Sequence, residues 1–204
     1  MPFYQKINIC NDSFVFIWHS TESEHTLAST LTLSKKSLEL LKNKKNTAHR
    51  KSFLSVRHLL KIADLSDFDL IYDEEGKPHL SNNQYISISH SFDFSCIIVS
   101  DQPVGIDIER EREKILTIKH KFLHPFEIEH FDTLDLAILH IIWGVKEVVY
   151  KLKSPLKPIF KTDICIKNID LQSQQGEVLV FDTEIFTFHF KKIEKYWLVY
   201  IEVV

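Results

Sequence analysis

The sequence predicts a mixed fold of helices and antiparallel strands arranged as two similar lobes. Two observations lead there. The order strand, helices, then antiparallel strands is read once over residues 14–100 and again over 104–202, although no residue-level repeat accompanies it. The turn-forming run Asp101-Gln102-Pro103 lies between the two halves. The lobes are therefore expected at 1–102 and 103–204, with the crevice between them as the default place for a site. Of the 204 residues 44% are hydrophobic and 15 are Phe, enough to bury a real core and to exclude disorder.

The first half opens on Phe14–Trp18, β-branched and aromatic, which reads as a strand. Ser34 caps a helical stretch over Ser34–Lys44. Thr47–Ala63 places Phe53, Val56, Leu60 and Ala63 at helical spacing. Phe68–Tyr72, Tyr85–Ser89 and Ser95–Ser100 are strand candidates, the first two separated by the turn segment Asp73–Pro78. In the second half Val104–Glu109 alternates as a strand. Helices are expected over Lys114–Leu123 and Leu134–Lys151, then strands over Asp163–Lys167, Glu177–Phe181, Ile185–Phe190 and Tyr196–Glu202.

Composition excludes several functions. The only glycines are Gly76, Gly105, Gly144 and Gly176, no two closer than 29 residues. Walker A loops, G-x-G-x-x-G loops and G-x-S-x-G elbows need clustered glycines, so none can form. A net charge of −3 gives no general attraction to nucleic acid, and the Lys42–Lys45 run reads as a solvated helix end. Cys10, Cys96 and Cys165 are too far apart for a C-x-x-C site and suit a reducing compartment. Met1–Asn11 lacks a leader pattern, and the longest apolar runs are five residues, so a cytoplasmic protein with no membrane association is expected.

Three constellations carry chemistry. In Pro103-Val104-Gly105-Ile106-Asp107-Ile108-Glu109, strand alternation turns Gly105, Asp107 and Glu109 to one face. Two carboxylates so close suit Mg²⁺ with its own waters and substrate phosphates; a solvent-facing strand edge is the plain alternative. In Trp143-Gly144-Val145-Lys146-Glu147-Val148-Val149-Tyr150-Lys151, helical spacing aligns Trp143, Glu147 and Lys151. Glu147 and Lys151 form either a surface ion pair or a third metal ligand and a phosphate contact. Ser87-Ile88-Ser89-His90-Ser91 offers donors to an anion or holds an ordinary histidine. His120 and His124 stand at i, i+4 without a third metal ligand in view.

The order and spacing of these segments resemble the 4′-phosphopantetheinyl transferase superfamily, in particular its two-lobed, surfactin-synthetase-activating type. The segments are Ala48-His49-Arg50 with Arg57 on the same helix, Gly76-Lys77-Pro78, Ser89-His90-Ser91, Val104–Glu109 and Trp143–Lys151. The resemblance implies an α+β fold of two pseudo-twofold lobes, each a small antiparallel sheet packed with helices, acting as a monomer. It implies transfer of the 4′-phosphopantetheine arm of coenzyme A to a serine of an apo acyl or peptidyl carrier protein. Asp107, Glu109 and Glu147 would hold Mg²⁺. Lys151 would sit near the reacting phosphate, and Ser89 and His90 near the 3′-phosphate. Arg50, Lys77 and Pro78 would contribute to the nucleotide end. Glu147 and Glu127 are both candidates to take the serine proton.

The sequence departs from the pattern after the motif lysine. Lys151-Leu152-Lys153-Ser154-Pro155-Leu156-Lys157-Pro158 has two prolines where a glycine-bearing loop is usual. A family-fold protein that binds coenzyme A or a carrier with impaired catalysis is therefore the alternative.

Overall fold

The computed structural model describes residues 3–10 and 12–203; Met1, Pro2 and Asn11, part of the stretch read for a leader, and Val204 lie outside them. The chain divides into two compact units, Met1–Gln102 and Pro103–Val204, each built of antiparallel sheet and helices.

In the first unit, β1 (Phe3–Cys10) and β2 (Ser13–His19) form a hairpin and lead into α1 (Glu24–Ser29), α2 (Lys35–Asn43) and α3 (Thr47–Ile62). The ribbon β3 (Leu70–Tyr72) and β4 (Pro78–Leu80) follows, then β5 (Tyr85–Ser91) and β6 (Phe94–Ser100). The main sheet runs β1-β2-β6-β5, all antiparallel. Leu54, Leu59 and Leu60 of α3 pack with Phe16, Ile97 and Val99 of the sheet. Each helix start is capped: Ser23, Ser34 and Asn46 accept a backbone N–H of the first turn.

Arg57, 3% exposed, fixes α3 to the start of α2 through Asp67. Its Nε donates to Asp67 Oδ1 at 2.9 Å, Ser37 Oγ donates to the same oxygen, and Ser34 N–H donates to Oδ2. Burial alone would raise the Asp67 pKa, but the bonds from Ser34, Ser37 and Arg57 outweigh it and hold the carboxyl below its ordinary range.

In the second unit, β7 (Val104–Arg110) leads to α4 (Lys114–Ile118), α5 (Pro125–His130) and α6 (Leu136–Leu152). The strands β8 (Ile164–Asp170), β9 (Gln175–Val180), β10 (Glu184–Ile193) and β11 (Tyr196–Glu202) complete it. The antiparallel sheet order is β7-β11-β10-β9-β8. Its core joins Ile141, Val145 and Val149 of α6 to Val178, Phe188 and Val199 of the sheet.

The main strands and long helices fall where the sequence places them. The strand β1 and three short elements, α1, β4 and α5, are additional. The helix expected over Lys114–Leu123 is shorter: α4 ends at Ile118 and a 3₁₀ turn follows over Lys119–Lys121. The chain then restarts as α5, with His124 as its N-cap and Pro125 in the first turn. His124 Nδ1 accepts the Phe126 N–H, so His120, in the 3₁₀ turn, and His124, at the start of α5, do not share one helix. All three cysteines are free thiols. Among the described residues no helix is long and apolar enough to cross a membrane.

Helix α6 lies unusually close to β7 and β11, and two glycines make this possible. A Cβ at Gly105 would lie 2.8 Å from both Val148 Cγ1 and the Val148 carbonyl oxygen; one at Gly144 would lie 2.7 Å from Val199 Cγ2. The first clash includes backbone, so rotating a side chain cannot relieve it. We expect Gly105→Ala to destabilise the protein by about 1–3 kcal/mol, as overpacking does. Urea unfolding measures this; an unchanged midpoint would show that α6 can move away from the strand freely.

Candidate functional site

Strand β7 and helix α6 bring the two acidic motifs together. Asp107, on the face of β7 shared with Gly105, is 4% exposed. The plain alternative of a solvent-facing strand edge is thereby corrected: that face is covered by α6. Lys151, in the last turn of α6, donates from Nζ to Asp107 Oδ1 and to the Ile106 carbonyl oxygen, both at 2.8 Å. Lys151 thus pairs with Asp107 on the strand, while its charge also acts on the half-buried Glu147.

Glu147 lies one turn before Lys151 and is half-buried. Burial is the largest influence on its carboxyl, followed by the negative charge of Asp107; Lys151 opposes both, and Glu109 adds repulsion. The balance pushes its pKa up to about 7. Glu147 therefore senses both carboxylates of the strand motif, and Asp107, Glu109, Glu147 and Lys151 share one electrostatic environment.

Three carboxylates supply hard oxygen donors of the kind Mg²⁺ takes, and their mutual repulsion is what a divalent cation would relieve. Among the described residues, no three His, Cys, Asp or Glu side chains are drawn together as a ready-made metal cage. The positive charge beside Asp107 is instead the Lys151 ammonium. The donor chemistry fits the ion, with Lys151 sharing Asp107.

Glu127, the other candidate proton acceptor, has a structural environment. It and Lys146 are both 0% exposed and pair at 2.9 Å. Lys146 Nζ also donates to the carbonyl oxygens of Phe160 and Ile164, each at 2.7 Å. Glu127 accepts the Ile166 N–H on Oε1 at 2.9 Å and the His124 N–H on Oε2 at 2.8 Å. The Lys146 amine is thus surrounded by the Glu127 carboxyl and two carbonyl oxygens, so every polar group of the buried pair has a partner. Burial drives the Glu127 pKa up and the Lys146 pKa down, while each partner opposes the other's shift. The Glu127 carboxyl ties the start of α5 to β8 and α6.

The other candidates are in the first unit. Ser89 is buried and His90 exposed on β5, which continues to Ser91, and the His90 ring lies 6.2 Å from that of His49. Lys77 and Pro78 close the β3–β4 turn, where Gly76 has φ +84° and Asp73 Oδ1 accepts the Lys77 N–H at 2.8 Å. Arg50 donates from Nε and Nη2 to Glu24 Oε1, at 2.9 and 2.7 Å, and from Nη1 to the Leu41 carbonyl oxygen. It is thus a tie between α1, the end of α2 and α3. The bond to Arg50 holds the Glu24 carboxyl below its ordinary range.

Sequence reasoning missed Lys146, although it stands inside the motif already singled out. The available signal was its position between Val145 and Val148 on a helix whose flanking residues are apolar.

No family model matches the chain. Over 101 residues it is 32% identical to the 4′-phosphopantetheinyl transferase gsp of Aneurinibacillus migulanus. That match covers 47% of this chain and 43% of the relative, so the chain spans less than half the length of the protein it matches. The similarity supports the superfamily to which the sequence motifs point.

The raised Glu147 pKa has a measurable consequence. The folded state holds this proton up to about pH 7, whereas the unfolded carboxyl releases it near 4.5. The folded state therefore binds more protons between those values, and stability falls as pH rises through that window. With divalent cations chelated, wild type should lose stability toward pH 7 more steeply than Glu147→Gln in urea titrations. Parallel curves for the two proteins would contradict the assignment.

Proposed function

We propose that the protein transfers the 4′-phosphopantetheine group of coenzyme A to a serine of an acyl or peptidyl carrier protein, with Mg²⁺ at the site. One observation carries this reading: β7 and α6 place Asp107, Glu109 and Glu147 in one electrostatic environment, with the Lys151 ammonium on Asp107. All four residues belong to the two most specific motifs. The 32% identity to a named transferase supports the same reaction class.

In this reading the serine hydroxyl oxygen attacks the phosphorus that carries the pantetheine arm. A serine–phosphate bond forms, the anhydride bond breaks, and adenosine 3′,5′-bisphosphate leaves. Asp107, Glu109 and Glu147 would hold the ion, which when bound offsets the charge gathering on the pyrophosphate oxygens. Lys151 keeps a fixed ammonium beside Asp107 and is the donor for the reacting phosphate. The serine proton needs an acceptor whose affinity is close to neutral pH. Glu147 and Glu127 are the two candidates; Glu127, enclosed by Lys146 and two backbone N–H groups, is the weaker one, and the raised pKa of Glu147 describes its carboxyl before an ion binds. Arg50, Lys77, Pro78, Ser89 and His90 are assigned by resemblance to recognition of the nucleotide. A reaction of this kind belongs in the cytoplasm, where coenzyme A and carrier proteins are available.

The run Lys151–Pro158, with two prolines and no glycine, favours a second reading in which coenzyme A or a carrier binds without turnover. Purified protein with coenzyme A and Mg²⁺ should add one phosphopantetheine mass to an apo carrier, as read by mass spectrometry. Asp107→Ala and Glu147→Ala should each abolish that gain with circular dichroism unchanged. Calorimetric binding of coenzyme A without any mass gain across several carriers would favour the second reading. Hydrolysis of coenzyme A with no carrier present would refute group transfer altogether.

A further inference from the structure

Arg57 has more donors than its tie to Asp67 uses. The side chain is 3% exposed, and a guanidinium carries five N–H groups. Nε donates to Asp67 Oδ1, Nη1 to the Phe53 carbonyl oxygen and Nη2 to Ser37 Oγ, the last two at 3.3 Å. One N–H on each terminal nitrogen is therefore left without a partner among the described residues. The Phe53 ring packs against the group, its centroid 3.4 Å from the guanidinium carbon.

A cavity of about 220 Å³ opens beside this arginine, between the end of α1, the last turns of α3 and the segment before β3. Arg57 and Asp67 are its buried wall, and Leu31 and Leu65 make it apolar on one side. Thr30, Thr32, Lys61 and Ser66 are exposed and form its mouth. Asp67 is already engaged, Oδ1 by Arg57 and Ser37 and Oδ2 by the Ser34 N–H. Ser66 Oγ donates to Asp69. The Lys61 ammonium and the Thr30 and Thr32 hydroxyls have no partner among the described residues. Two cations against one carboxylate leave the lining with a single positive charge.

We propose that this cavity is a binding site for a small organic carboxylate, separate from the acidic site and independent of the transferase reading. Charge selects a monoanion, since Asp67 cancels one of the two cations. The spare Arg57 N–H groups and the Lys61 ammonium are charge-assisted donors for the carboxylate oxygens. Leu31 and Leu65 match a short hydrocarbon body. Size sets the upper limit: small-molecule sites usually span roughly 300–1,000 Å³, so a cavity of about 220 Å³ takes a few heavy atoms rather than a nucleotide. Inorganic phosphate fits less well, because near neutral pH it brings more negative charge than the lining offsets and has no apolar part.

Butyrate titrated into the full chain at constant ionic strength, and followed by amide chemical shifts, tests this. Saturable shifts are expected at Leu31, Thr32, Lys61 and Ser66, with inorganic phosphate binding more weakly and n-butylamine not binding. Lys61→Glu puts a like charge at the mouth without breaking any ion pair. It should weaken butyrate about tenfold or more, the order of a lost charge-assisted bond. Lys42→Glu, at the other end of α2, should bind like wild type. Linear, unsaturated shifts in wild type, an undiminished response in Lys61→Glu, equal loss in Lys42→Glu, or phosphate binding tighter than butyrate would each overturn the proposal. Displacement of butyrate by coenzyme A would overturn it as well, because the cavity would then be part of a coenzyme A site.

Discussion

The close approach of α6 to β7 is the constraint on which the acidic site depends. A helix carrying ordinary side chains at the contact would stand farther from the sheet. Gly105 on the strand and Gly144 on the helix remove the two Cβ atoms that would otherwise lie 2.8 Å and 2.7 Å from Val148 and Val199. The gap closes, and Asp107 from one element and Glu147 and Lys151 from the other come under each other's influence. Packing is thus spent on bringing like charges together, which does not favour folding by itself. Burial, and after it the charge of Asp107, raises the pKa of Glu147, and Lys151 offsets part of the effect.

Two adjacent residues on the same helix meet opposite environments. Successive positions point about 100° apart around a helix, so Lys146 and Glu147 diverge. Lys146 enters the core and is satisfied there by Glu127 and the carbonyl oxygens of Phe160 and Ile164. Glu147 stays half-buried beside Asp107. The buried pair joins α6 to α5 and to the loop before β8. Removing one member of such a pair typically costs about 3–5 kcal/mol because the other charge is stranded. The helix that carries Glu147 and Lys151 is therefore held from behind by charges and in front by the glycine contact.

Much of this was legible in the residues. The long helices α3 and α6 have strong apolar periodicity, and the Val104–Glu109 alternation correctly separates Asp107 and Glu109 from Ile106 and Ile108. What escaped was decided by partners distant in sequence or by single caps. The strand β1 alternates half-buried and exposed residues, a weak apolar signal. The helices α1 and α5 have six residues each and depend on Ser23 and His124 at their starts. Glu127 reads equally well as a catalytic acid and as a structural one until Lys146 is seen 2.9 Å away. Arg50 is assigned to the nucleotide end by resemblance, and its ties to Glu24 and the Leu41 carbonyl oxygen carry no sign in the sequence.

In the proposed function, Asp107, Glu109 and Glu147 act together as one divalent-cation site. Electron paramagnetic resonance of Mn²⁺ titrated into the protein with coenzyme A present measures this without relying on turnover. Wild type should give a bound Mn²⁺ signal that weakens sharply in each of Asp107→Asn, Glu109→Gln and Glu147→Gln, with all three proteins folded. Wild-type-like Mn²⁺ binding in any of the three would contradict the shared site.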